Sequence, residues 1–170
     1  LDHRYPTGTF TFQGVYSQDQ LLAWVKEFSL FPGKLSQEVK KLTAVQLEKT
    51  YRRDSWTIRQ LVHHLADSHI NSYTRFRLAL TEKNPVIRPY EEGKWAELAD
   101  AKNGPIEVSL QLLEAVHTRW ATLVSSLLET DWKRTWQHPE SGEGTVGDMM
   151  GLYVWHSNHH LAHIQLAIQS

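Results

Sequence analysis

At 170 residues the chain is long enough to bury one core, and 41% hydrophobic with 22% charged residues is the balance of a soluble globular protein rather than a disordered one. A net charge of −1 argues against a nucleic-acid surface, and the absence of cysteine excludes disulfides, zinc thiolates and a thiol nucleophile. No apolar run reaches membrane-spanning length and the first residues lack a signal-peptide pattern, so the expectation is a single domain, residues 1–170, in the cytoplasm.

Taken in order, Leu1 to Ser17 has no helical period and reads as an extended arm lying on the domain. From Gln18, the positions Leu21, Val25, Phe28, Leu35, Val39 and Leu42 keep a helical phase across Pro32-Gly33, which predicts one kinked helix or two collinear pieces. Thr43 to Glu48 adds a turn of helix. A second long helix starts at a capping box, Thr57 with Gln60, and carries Ile58, Leu61, Val62, Leu65, His69, Tyr73, Phe76 and Leu80 on its core face. Beside that face runs a polar strip of Thr57, His64, Ser68, Asn71 and Arg75, either a cavity wall or a solvated flank.

Asn84-Pro85 opens an irregular crossover to about Pro105, with a short helix around Trp95 and Leu98. A third long helix is expected from Ile106 to Glu129, with Trp120 in its core stripe, then a loop from Asp131 to Gly144. Thr145, with Asp148 three residues on, caps a fourth. Four long helices with a long crossover between the second and third describe an all-α four-helix bundle, not simply up-down-up-down.

Histidine clustering supplies the chemistry. Seven of the ten histidines lie in two segments, His63-His64 to His69 and Trp155 to His163. On a helix, residues four apart share a face, so His159 and His163 can aim two imidazoles at one transition-metal ion. An isolated pair of this spacing is better explained by satisfied or surface histidines; the second cluster moves the balance toward metal. A third ligand should come from the second helix.

The run from Trp56 through His63-His64-Leu65-Ala66-Asp67-Ser68 to His69 resembles the second-helix signature of the DinB-like superfamily, most closely its YfiT branch. The likeness continues through Asn71-Ser72-Tyr73, Ile87-Arg88-Pro89-Tyr90, His117-x-Arg119-Trp120 and Gly151 to Ser157. It implies a four-helix bundle, a homodimer, and one divalent ion, zinc or nickel, on His64, His159 and His163. The helical wheel alone favours His69 over His64.

Three imidazoles leave positions open on the ion, as in catalytic sites, where a substrate thiol or a water can be activated. Members of this branch are described as metal-dependent hydrolases and as bacillithiol S-transferases. The expectation is therefore thiol transfer to an electrophilic small molecule, with bacillithiol as cosubstrate. No general base accompanies the histidines, which sets hydrolysis second; a non-catalytic metal-binding bundle is the third reading. Asp67 is a candidate acceptor behind a ligand or a surface acid, Arg75 a candidate for a substrate carboxylate, and Arg88, Tyr90 and Trp95 candidate cavity walls. His63, His69, His156 and His160 are read as supporting or packing groups.

Overall fold

The computed structural model describes residues 2–170 and contains eight helices and one two-stranded hairpin among them. Four helices are long: α1 (Gln18–Val39), α3 (Ile58–Thr81), α6 (Ile106–Val124) and α8 (Val146–Gln169). Around the bundle α1 packs on α6 and α8, and α3 packs on the same two. Helices α1 and α3, consecutive among the long ones, therefore lie across the diagonal, and the expected four-helix bundle is not an up-and-down one. The short helices are α2 (Ala44–Leu47), α4 (Glu92–Ala96), α5 (Ala99–Asn103) and α7 (Glu129–Trp132).

The capping boxes form as the sequence predicts. Thr57 accepts from the Gln60 amide while Gln60 accepts from Thr57, and Thr145 with Asp148 repeats this at the start of α8. Each satisfies backbone donors that the first helical turn leaves open. The arm of residues 2–17 is non-helical and lies on α8, as expected: Tyr16 donates to Asp148 at 2.6 Å, and Phe10 packs edge-on against Trp24. Leu1 lies outside the described residues.

Helix α1 continues through Pro32 as one helix, the first of the two expected arrangements. Two expectations are corrected. The third long helix ends at Val124 rather than Glu129, because Ser125 and Ser126 turn their hydroxyls back onto the carbonyls of Ala121 and Leu123, both at 2.7 Å. The segment read as a loop contains an antiparallel hairpin, β1 (Thr135–His138) with β2 (Gly142–Thr145). Trp136 covers Gly144 so closely that a Cβ there would strike its ring. The hairpin also pins the crossover, since Gln137 exchanges backbone hydrogen bonds with Pro85 and Ile87, both at 2.8 Å.

Two apolar clusters fill the bundle, one around Leu61, Leu65, Leu113 and Ile164, the other around Phe28, Phe76, Trp120 and Met150. On α8 the second cluster draws on residues 146–154 and the first on 161–167, and the histidine-rich turn lies between them. No helix among the described residues is long and apolar enough to cross a membrane.

Candidate metal centre

Helices α3 and α8 are neighbours, and their histidines meet along the shared seam. Two overlapping groups of three could hold an ion: His64, His156 and His160, and His159, His160 and His163. The expected trio is thus divided. His64 stands with His156 and His160, whereas His159 and His163 group with His160 instead; among the described residues His64, His159 and His163 form no common group. Sequence reasoning placed His156 and His160 in supporting roles, and the structure puts both against His64. His156 and His160 are also four residues apart, so spacing alone could not separate one pair from the other.

In the first group the Nε2 atoms of His64 and His156 lie 3.2 Å apart. Two nitrogens about 2.0–2.1 Å from a tetrahedral ion stand about 3.3 Å from each other, so this pair needs almost no adjustment to share one. His64 and His160 are buried, while His156 keeps part of its surface open to solvent. Trp56 lies against His64 with ring centres 4.6 Å apart.

Burial holds these rings in the neutral form that a metal ligand requires. Desolvation, and then the charge His159 would carry, lowers His64 to about 4. Desolvation first, with mutual repulsion among the cluster, pushes His156 and His160 well below the ordinary imidazole value. His159 is lowered to about 4, by burial and then His163. The donor set fits a borderline divalent ion: three neutral imidazoles, no thiolate and no carboxylate. In favour of the second group stands the Nδ1 of His159, buried without a partner among the described residues.

His63, His69, His117 and His163 have structural partners. His63 joins α3 to α6 through Ser109 Oγ at 2.7 Å and the Gly104 carbonyl at 3.0 Å. His69 is wholly buried between both apolar clusters, near Phe28, Phe31 and Tyr153. Its Nδ1 lies 2.6 Å from His117 Nε2 and its Nε2 lies 3.3 Å from His156 Nδ1. His117 Nδ1 donates to the Phe28 carbonyl at 2.9 Å. On the other side, His160 Nδ1 is 3.2 Å from His163 Nδ1, and His163 Nε2 donates to the Arg4 carbonyl at 3.0 Å.

A cavity of about 560 Å³ opens onto the cluster and is lined by His156, His159, His160 and His163. Arg4, Arg52 and Arg75 also line it, with Asp54 and Glu92 as its acids. Arg4 is paired with Asp2 at 3.0 Å; Arg52 and Arg75 form no ion pair among the described residues. Burial raises the Glu92 carboxyl, and Arg75 partly opposes this.

Of the polar strip, Ser68 and Arg75 line this cavity, Asn71 faces the adjoining groove, and Thr57 serves as the cap. Tyr90 lines both spaces and lies tilted against Trp95, whereas Arg88 lines only the groove and lends its carbonyl to Arg75 at 2.6 Å. Asp67 makes no side-chain hydrogen bond to a histidine among the described residues; burial and then Asp100 raise it to about 6. Trp120 is core, as expected. Arg4 and Arg52 escaped the sequence reading because neither lies on a periodic element.

A four-helix bundle with a histidine cluster able to hold a metal between two facing helices defines the class of protein. The chain belongs to the DinB superfamily, whose pattern matches residues 27–164. It is 49% identical over 163 residues to a Bacillus mycoides protein, covering 96% of this chain and 94% of that one. It is likewise 49% identical over 164 residues to one from Oceanobacillus iheyensis, covering 96% and 95%. Both relatives carry the name "Putative metal-dependent hydrolase". The fold matches YfiT from Bacillus subtilis with a TM-score of 0.95 at 44% identity, over 97% of this chain and 95% of the other. That protein is described as a probable metal-dependent hydrolase with an unusual four-helix bundle topology.

Proposed function

We propose that this protein is a divalent-metal-dependent enzyme that transfers a small thiol, bacillithiol in the first instance, to an electrophilic small molecule. The observation that carries this reading is the meeting of His64 with His156 and His160, the latter two lining an arginine-bearing cavity. Zinc or nickel held there would supply Lewis acidity, lowering the pKa of a thiol or water on its open side.

The chain's own residues supply the rest. His64, His156 and His160 present neutral nitrogens from two rigid helices, so the site is preorganised. Arg52 and Arg75, without ion pairs among the described residues, are placed to hold the carboxylates of an anionic thiol cosubstrate. Neither metal-binding group contains a carboxylate to take a proton from water, which favours a nucleophile acidic enough to need none. The cosubstrate sulfur then bonds to the electrophilic carbon as the leaving group departs, and the thiol proton leaves to solvent through the open cavity.

Hydrolysis is the second reading, favoured by Glu92. Its carboxyl lines the same cavity and is raised by burial, which suits a general base. Zinc-loaded and metal-free protein should be assayed on a generic electrophile with and without bacillithiol, and on ester and amide panels. Metal-dependent turnover that requires the thiol supports transfer. Turnover without thiol that is lost in Glu92→Gln supports hydrolysis, and a zinc-loaded protein inert in every assay overturns both.

A further inference from the structure

We infer that His117, His69 and His163 are positioning residues, forming two hydrogen-bonded chains that fix His156 and His160 as Nδ1–H tautomers and leave both Nε2 lone pairs for the ion. The inference rests on the metal-centre reading above and adds how its ligands are set.

The proton bookkeeping follows from what each end can accept. A backbone carbonyl only accepts, so His117 meets Phe28 with Nδ1–H. A neutral imidazole has one proton, so His117 Nε2 is a lone pair and the 2.6 Å bond is donated by His69 Nδ1. His69 Nε2 is then the acceptor, and His156 Nδ1 donates to it at 3.3 Å. His156 Nε2 is left unprotonated, facing His64. The second chain runs the same way. The Arg4 carbonyl takes the Nε2–H of His163, His163 Nδ1 accepts from His160 Nδ1 at 3.2 Å, and His160 Nε2 is left free. With hydrogen positions assigned in this manner, every ring nitrogen in both chains has a partner except the two Nε2 lone pairs left for the ion.

The anchor of the first chain has a cause in the sequence. Pro32 lies inside α1 and has no N–H, so the Phe28 carbonyl four residues earlier has no helical donor. His117, stacked on the Phe28 ring with centres 3.8 Å apart, supplies one from the facing helix α6.

The chains also choose between the two groups. An ion on His64, His156 and His160 needs His160 protonated at Nδ1, the tautomer the Arg4 chain enforces. An ion on His159, His160 and His163 that used the facing Nδ1 atoms of His160 and His163 would need the opposite tautomer of His160. Metal-binding imidazoles are commonly held in this fashion by a hydrogen bond at the other nitrogen.

The test uses full-length zinc-loaded protein and long-range proton–nitrogen correlation spectra of the histidine rings. Protonated Nδ1 and zinc-shifted Nε2 at both His156 and His160 are expected; Nε2–H at either overturns the inference. Zinc affinity by chelator competition is the second readout. His117→Phe and His163→Phe keep the ring stacking but remove the acceptor, and each should weaken zinc by about 10–100-fold. His117→Gln, which keeps an acceptor for His69, should recover most of the loss; equal weakening by Phe and Gln overturns the relay. If the unsubstituted chain retains no divalent ion, the metal-centre reading falls. If it retains zinc with the wrong tautomers, only the relay falls.

Discussion

Mild acid should unfold the metal-free protein, and the size of the effect can be worked from three imidazoles. His64, His117 and His159 titrate at about 4 in the fold, each lowered first by burial, against 6.5 for an unperturbed ring. With the folded value depressed, the unfolded chain binds more protons between these limits, so the contribution to stability is complete above pH 6.5 and lost as pH falls toward 4. At 1.36 kcal/mol per unit, His64 and His117 each give up about 2 kcal/mol by pH 5, about 4 kcal/mol together, and His159 adds less because solvent screens it. His69, His156 and His160 act in the same direction. A domain of this kind is stable by about 5–15 kcal/mol, so the loss is decisive. Urea unfolding with chelator present, followed by tryptophan fluorescence at pH 7, 6 and 5, should show a steep fall in the midpoint. The same midpoint at pH 7 and 5 would mean that these rings are hydrated or already charged, and the neutral-cluster reasoning would be refuted.

Other consequences are direct. His156→Ala and His160→Ala should each abolish retention of zinc or nickel after dialysis, measured by elemental analysis, while His159→Ala should keep the ion; loss in His159→Ala with retention in His156→Ala would transfer the centre to the second group, which shares His160. Gly151→Ala should cost about 1–3 kcal/mol in denaturant unfolding, because its Cβ would stand 2.5 Å from Phe10 and 2.6 Å from Trp24, the contact that seats the arm. Arg52→Ala should raise the KM for an anionic thiol about tenfold with kcat unchanged, since the side chain lines the cavity over the Tyr51 ring and forms no ion pair among the described residues; an unchanged KM would remove Arg52 from substrate binding.

The fold was legible where one physical signal dominated. Hydrophobic period and the Thr57 and Thr145 boxes placed the long helices, since a helix start needs a local acceptor and the sequence displays it. The hairpin was not legible. Its strands have four residues each, the turn holds Pro139 and β2 opens at a positive-φ Gly142, which read as loop until Trp136 is seen lying over Gly144. Helix α6 was overextended because Leu127 keeps the apolar phase after Ser125 and Ser126 have ended the helix. At the site, four histidines in eight residues of α8 offer two interleaved pairs, and the helical wheel cannot choose between them. The choice depends on what lies behind each ring: His69 and His117 behind His156, and the arm carbonyl of Arg4 behind the His160–His163 pair. None of those contacts is local in sequence.

Pro32 shows how a residue read one way from the chain acquires another meaning in the fold. As a helix breaker it predicted a kink; within a continuous α1 its missing N–H leaves the Phe28 carbonyl to His117. Pro32→Ala therefore separates two effects. Proline costs a helix interior about 3 kcal/mol relative to alanine, so the metal-free variant should unfold at higher denaturant. The restored N–H also competes for the carbonyl that orients His117, and zinc affinity should fall, by about tenfold if the relay governs His156. Stability and affinity moving in opposite directions cannot come from general loosening or tightening of the bundle. A stabilised variant that binds zinc as the parent does would show that the carbonyl's second lone pair serves both donors, and that Pro32 has no part in setting the ligand.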